Sequence, residues 1–219
     1  MLAPPPVLLS ADRIGIRLAE LAMQISRDYA GVDDLLLVGV LRGAFIFVAD
    51  LSRRLTVPCS VDFVAVSRYE HGSTPTGEVR LIMDLRVPIK GRHVLLVEDI
   101  VDSGGTLDYL TRMLRARNPA SLRICALTRK PNRAPPEPRI DYLGFEIPDL
   151  WVVGYGLDYC NQLRTLPYIG VLGSTASAAD GRDIVLWSEA SAGERPQGST
   201  RGRRVARSSR DGAGGQRRS

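Results

Sequence analysis

Residues 94–107 read Val-Leu-Leu-Val-Glu-Asp-Ile-Val-Asp-Ser-Gly-Gly-Thr-Leu. Two adjacent carboxylates, Glu98 and Asp99, follow a wholly apolar run from Val94 to Val97. The turn Asp102-Ser103-Gly104-Gly105-Thr106 comes next and opens a helical pattern at Leu107, Leu110, Met113 and Leu114. A glycine-bearing turn at a helix N-terminus presents backbone N–H groups to an anion. The Ser103 and Thr106 hydroxyls add donors. Acids beside a phosphate cradle oppose each other unless the ligand joins a phosphate to a sugar. Carboxylates then accept from sugar hydroxyls or hold a divalent cation, and the turn holds the phosphate. A plain acidic surface turn is the alternative, but an apolar strand leading into two acids and a Gly-Gly turn has little packing rationale.

Two further charged groups stand at comparable places. Arg42 follows the apolar run Leu35–Val40, within Leu41-Arg42-Gly43-Ala44. Lys130 follows the run Leu122–Leu127. Each reads as a cation at the end of a strand, although a solvated side chain fits the same pattern. Trp151 opens the apolar stretch to Tyr155 and by pattern alone fits a core position equally well.

The elements that must position these groups alternate between strand and helix. Ser10 is a plausible N-cap for a helix in which Ile14, Leu18, Leu21, Met23 and Ile25 recur, and Gly31 stops it. Strands are expected at 35–40, 61–66 (within the stretch 57–67), 79–84, 92–97, 122–127, 140–145, 151–155 and 167–172. Helices are expected at about 45–55 and 104–117. Val94–Val97 lacks polar alternation, as expected of a strand buried on both faces. Strands alternating with helices predict an α/β fold with a mainly parallel, twisted sheet flanked by helices. Ligands of such sheets bind beyond the carboxyl ends of the strands, where Arg42, Glu98, Asp99, Asp102 and Lys130 all fall. Residues 68–79 are polar, with two glycines and a proline, and predict a long mobile loop of the kind that closes over sites.

Composition narrows the function classes. With 219 residues, 44% hydrophobic and 24% charged, the chain predicts one soluble globular domain. No apolar run approaches the ~18 residues that cross a bilayer. Residues 1–9 lack a basic n-region and are broken by Pro4-Pro5-Pro6, so a flexible N-terminus is expected rather than a signal peptide. Cys59, Cys125 and Cys160 are odd in number and widely spaced, which argues against disulfides and zinc and fits a cytoplasmic protein. The net charge of +5 is uneven, since nine arginines face five acids from Ser174 onward. A domain at 10–173 and a disordered basic tail at 174–219 follow. That tail has no aromatic interleaving, so no nucleic-acid partner is expected, and no membrane.

Val-Glu-Asp-Ile-Val-Asp-Ser-Gly-Gly-Thr resembles the 5-phosphoribosyl-1-diphosphate (PRPP) motif of type I phosphoribosyltransferases. Leu41-Arg42-Gly43, Arg129-Lys130, Gly144-Phe145-Glu146-Ile147-Pro148 and Val152-Val153-Gly154-Tyr155-Gly156-Leu157-Asp158-Tyr159 are similar to blocks of the hypoxanthine(-guanine) phosphoribosyltransferases within that family. The resemblance covers about residues 10–172. It implies a small hood subdomain beside the main sheet, a homodimer or homotetramer, and a purine-salvage reaction. A 6-oxopurine, hypoxanthine and guanine first among them, and PRPP would give the purine 5′-monophosphate and pyrophosphate.

The resemblance also implies roles. Ser103, Gly104, Gly105 and Thr106 would cradle the 5′-phosphate, and Glu98 and Asp99 would hold the ribose hydroxyls directly or through Mg²⁺. Leu41, Arg42 and Gly43, with a cis peptide before Arg42, would bind pyrophosphate together with Arg164. Asp158 would join Glu98 and Asp99 as a metal ligand. Asp102 would be the general base toward purine N7, its pKa expected to rise beside the other acids. Lys130 would donate to O6, Trp151 would stack on the base, and the Val152 backbone would meet its other edge. Tyr69 matches a lid tyrosine, but Arg68 stands where the family has serine, and Ser67 is the nearest hydroxyl. A xanthine-preferring transferase and a non-catalytic nucleotide- or RNA-binding relative are the alternatives. Asp102, Lys130, Asp158 and Arg164 together favour the enzyme, because a binding module needs no base.

Overall fold

The computed structural model describes residues 4–68, 79–131, 133 and 138–172. Helix α1 (Ala11–Asp28) starts where expected, with the Ser10 Oγ accepting from the Arg13 N–H at 3.3 Å. Ile14, Leu18, Leu21, Ala22 and Ile25 recur at helical spacing and are buried together. Met23 breaks that spacing and is 68% exposed, so it is not the core residue anticipated. Among the described residues no helix is long and apolar enough to cross a membrane.

The main sheet has six strands: β2 (Leu35–Leu41), β3 (Cys59–Arg68), β4 (Val79–Met83), β5 (His93–Val101), β6 (Ser121–Arg129) and β7 (Tyr142–Glu146). Their spatial order is β4-β3-β2-β5-β6-β7. Every pairing is parallel except β3 with β4, so the expected mainly parallel sheet is observed. Strand alternation divides the apolar run between two layers. Leu35, Leu37, Leu95 and Val97 pack with α1 and with α2 (Phe45–Ser52), while Leu36, Val38, Val94 and Leu96 pack with α3 (Gly105–Arg115). Double-sided burial is why these strands read as unbroken hydrophobic runs. Helix α2 ends at Ser52, short of the Leu55 expected.

A second, three-stranded sheet supplies the hood, in the order β1 (Val7–Leu9), β9 (Ile169–Leu172), β8 (Trp151–Val153). It corrects the expectation of a flexible stretch through residue 9. Val7 pairs with Gly170 and Leu9 with Ile169, so these residues form a strand held by the far end of the domain. The lid position Tyr69 and the anticipated disordered tail at 174–219 lie outside the described residues, and β9 ends at Leu172.

Candidate active site

Strands β2 and β5 are central neighbours, and their carboxyl ends bring two distant stretches of sequence side by side. The loop after β2 holds Arg42 and Gly43, and the Leu41–Arg42 peptide is cis. Asp99 faces this loop so closely that a Cβ on Gly43 would lie 1.8 Å from Asp99 Oδ2. The hood closes on the same spot. Gly156 adopts φ +103°, and a Cβ there would lie 1.9 Å from the Gly43 carbonyl oxygen. Only glycine permits these two backbones to meet.

Strand β5 does not stop at the acids as anticipated but continues to Val101. Glu98 and Asp99 are therefore held by the sheet rather than carried on a loop. Both are buried, and the Asp99 carbonyl accepts from Thr128 Oγ1 at 2.8 Å. Burial pushes the Asp99 carboxyl above its usual range, against the opposing effects of Glu98, nearby backbone N–H groups and Arg164.

A cavity of about 310 Å³ opens beyond these strand ends. One side carries Arg42, Gly43 and Asp99, and another carries Asp102 and Lys130. The hood contributes Trp151, Val152, Leu157, Asp158 and Arg164. Asp158 accepts from the Asn161 N–H at 2.7 Å and pairs with Arg164 at 2.7 Å. Arg164 also donates to the Gly156 carbonyl, which fixes acid and cation as one unit. Trp151 is 45% exposed and meets Tyr159 edge-on at 6.0 Å, so it is not the core residue that its apolar neighbours allowed.

An adjoining cavity of about 260 Å³ is lined by Glu98, Asp102, Gly104 and Thr106, among others. Gly104 takes φ +75° and precedes α3, which has no side-chain cap. The first N–H groups of α3 have no carbonyl of their own helix to meet, as an anion site requires. Ser103 and Gly105 lie exposed in this turn without lining either cavity. Leu41 ends β2 and Ser67 lies near the end of β3, outside both cavities, and Arg68 is the last residue of β3.

Asp102 needs a correction. The expectation placed it among acids, yet two cations stand against it. Lys130 Nζ is 3.5 Å from Asp102 Oδ2, and Arg133 Nε is 2.8 Å from Asp102 Oδ1. Lys130 is buried, at 7% exposure, and also pairs with Asp149 at 3.2 Å. Sequence reasoning passed over Arg133 and Asp149. No period or spacing in the sequence marks them: only the fold brings the residues after β6 and the turn before β8 against Asp102.

The three carboxylates proposed for a metal do not share one cluster, and no group of three metal-ligating side chains occurs among the described residues. Asp99 and Asp158 face one cavity while Glu98 lines the other. An all-oxygen set of one or two carboxylates suits Mg²⁺, which completes its shell with water and substrate phosphates. The buried Asp99 fits that use, because a dication would compensate a carboxylate that burial disfavours. Chemically, the site offers cations for an anion, carboxylates for hydroxyls or a hard ion, and an acid–base pair beside an aromatic face.

The phosphoribosyl transferase domain profile matches residues 8–160. The hypoxanthine-guanine phosphoribosyltransferase of Mycobacterium tuberculosis (strain H37Rv) is 50% identical over 171 residues, covering 76% of this chain and 85% of its own. The hypoxanthine phosphoribosyltransferase of Escherichia coli K12 is 46% identical, covering 75% and 93%. Among solved structures, the hypoxanthine phosphoribosyltransferase of Staphylococcus aureus superposes with a TM-score of 0.72 at 44% identity, covering 76% of this chain and 90% of that one.

Proposed function

This chain belongs to the hypoxanthine(-guanine) phosphoribosyltransferases of the phosphoribosyl transferase family, and on that footing we propose how its site works. The reaction is purine salvage: the 5-phosphoribosyl group of PRPP passes to hypoxanthine or guanine, giving IMP or GMP and pyrophosphate. The observation that carries the assignment of roles is the Asp102–Lys130 pair, 3.5 Å apart on the wall of a cavity shared with Arg42, Asp158 and Arg164. A 6-oxopurine presents N7 and O6 on one edge at a similar spacing, so an acid and a cation side by side match that edge.

In this scheme the N9–C1′ bond forms as the C1′–O bond of PRPP breaks. The N7 proton goes to Asp102, and pyrophosphate leaves toward Arg42 and Arg164. Lys130 donates to O6, Trp151 stacks on the ring, and the Val152 backbone meets the far edge. The N–H groups from Ser103 to Thr106 hold the 5′-phosphate, and Glu98 and Asp99 accept from the ribose hydroxyls. Holding both reactants across one cavity removes the entropic cost of bringing them together, and fixed cations stabilise the charge that develops on pyrophosphate. Mg²⁺ held by Asp99 and Asp158, with Glu98 nearby, would offset charge on the phosphate oxygens. Ser67, Arg68 and Tyr69 belong to the start of the lid in this reading. The protein works in the cytoplasm as a homodimer or homotetramer.

The test is pyrophosphate release from PRPP with hypoxanthine, guanine, xanthine and adenine, with and without Mg²⁺, beside Asp102→Asn. Turnover with hypoxanthine or guanine is expected. It should be lost without Mg²⁺ and fall by about 10²- to 10⁴-fold in the variant, as for removal of a general base. No turnover with any base would overturn the activity, and full activity in Asp102→Asn would overturn the assignment of the base.

A further inference from the structure

Asp102, Lys130, Asp149 and Arg133 form a closed ring of alternating charge. Lys130 Nζ lies 3.5 Å from Asp102 and 3.2 Å from Asp149. Arg133 closes the ring at 2.8 Å from Asp102 and 3.4 Å from Asp149. The ring joins three chain segments: the turn after β5, the end of β6, and the turn that leads into β8. Lys130 leaves β6 with its backbone N–H on the Val101 carbonyl at 3.0 Å, so its stem starts from a fixed point.

The ring solves a difficulty in the scheme above. Asp102 must turn to N7 and Lys130 to O6, so neither can keep the other as its counter-charge once a base is bound. The second pair of charges leaves each a partner throughout: Asp149 for Lys130 and Arg133 for Asp102. An ammonium has three donors. Lys130 Nζ lies within ion-pair distance of two carboxylates, which leaves a donor to offer the cavity that Lys130 itself lines. A lysine stem has several rotatable bonds, and a lysine held at one end alone could swing away from an unfavourable 6-amino group. The hydrogen bond from Lys130 is the largest influence holding the Asp149 carboxyl below its usual range, as expected of a persistent partner.

We propose that Asp149 is a positioning residue that holds the Lys130 ammonium at the 6-position of the base and so sets the preference for 6-oxo over 6-amino purines. The inference rests on the proposed transferase reading and names the origin of its base selectivity.

The test uses the full chain carrying Asp149→Asn and, separately, Asp149→Glu. Steady-state kinetics with hypoxanthine and PRPP are combined with direct binding of IMP and AMP. In Asp149→Asn, kcat/KM for hypoxanthine should fall about three- to tenfold, chiefly through KM, as expected for loss of a charged contact at a half-exposed group. The KM for PRPP should stay within about twofold, and the preference for IMP over AMP should fall by the same factor as kcat/KM. Asp149→Glu keeps the charge and should recover part of each loss. If the Asn variant fails to fold, the Glu variant still decides, since its longer stem should shift the IMP-over-AMP preference and leave PRPP unaffected. An unchanged IMP-over-AMP preference, or a loss confined to PRPP or to thermal stability, would show that the ring only staples loops. A wild-type protein that turns over no base would count against the transferase reading. Nucleotide preference would still test Asp149 in that case.

Discussion

Gly43→Ala offers a direct trial of how the site is assembled. The added Cβ would lie 1.8 Å from Asp99 Oδ2, 2.4 Å from Cγ and 2.7 Å from Oδ1. Ordinary contact starts near 3.4 Å, so something must move by roughly 1.6 Å. The Asp99 carboxylate can yield only by turning on its own side chain, because its backbone is fixed in the β5 ladder and by Thr128, and the Gly43 loop is capped by Gly156 pressed against its carbonyl. Such a turn would carry a buried carboxylate away from the cavity it lines. Overpacking of this kind costs about 1–3 kcal/mol. For a domain of this size, that lowers Tm by roughly 2–12 °C. Displacement of about 1 Å at reacting groups costs on the order of 10²-fold in rate. Thermal denaturation and pyrophosphate release would be measured together, with Gly15→Ala as the control. Gly15 lies inside α1, lines neither cavity of the site and has nothing within 4 Å of an added Cβ. Its substitution should be neutral or stabilising by up to about 1 kcal/mol, with activity retained. A Gly43→Ala protein with wild-type Tm and kcat/KM would refute the reasoning, as would equal damage from Gly15→Ala.

Two other perturbations test the supports of the site. Tyr155 is buried and donates from its hydroxyl to Asp50 Oδ2 at 2.6 Å, tying the hood to α2, the helix that follows the Arg42 loop. Tyr155→Phe should cost about 0.5–1.5 kcal/mol in denaturant unfolding and raise the KM for PRPP, and a change confined to the KM of the base would contradict that coupling. Arg117 donates to both oxygens of Asp84 at 2.8 Å and holds that carboxyl below its usual range. A carboxyl with a lower pKa in the folded than in the unfolded chain adds stability above its unfolded value, and that stability is lost as pH falls through its folded value. Asp84→Asn should therefore destabilise by about 0.5–1 kcal/mol at pH 7, a small effect because Asp84 is 45% exposed. The difference should close as pH drops below about 4, and a gap that persists unchanged at pH 3 would refute the assignment.

The sequence by itself determined the elements and most of the chemistry. Unbroken apolar runs such as Leu35–Val40 and Val94–Val97 announce strands buried on both faces, and the spacing of Ile14, Leu18, Leu21 and Ile25 announces α1, because these signals are local. The acids, the glycine turn and the cations at strand ends were legible for the same reason: residue type and strand direction already place them beyond the sheet. Tertiary structure decided what depends on contacts between distant residues. Val7–Leu9 became a strand only because Ile169 and Gly170, some 160 residues away, offer it a ladder. Trp151 became a cavity residue because the hood leaves it without a covering layer, which no apolar pattern could reveal. Asp102 came to lie between Lys130 and Arg133 because β5 and β6 are parallel neighbours, so their ends meet. Charge pairing across parallel strands has no sequence period, and for that reason the ring with Asp149 appears only once the chain is folded.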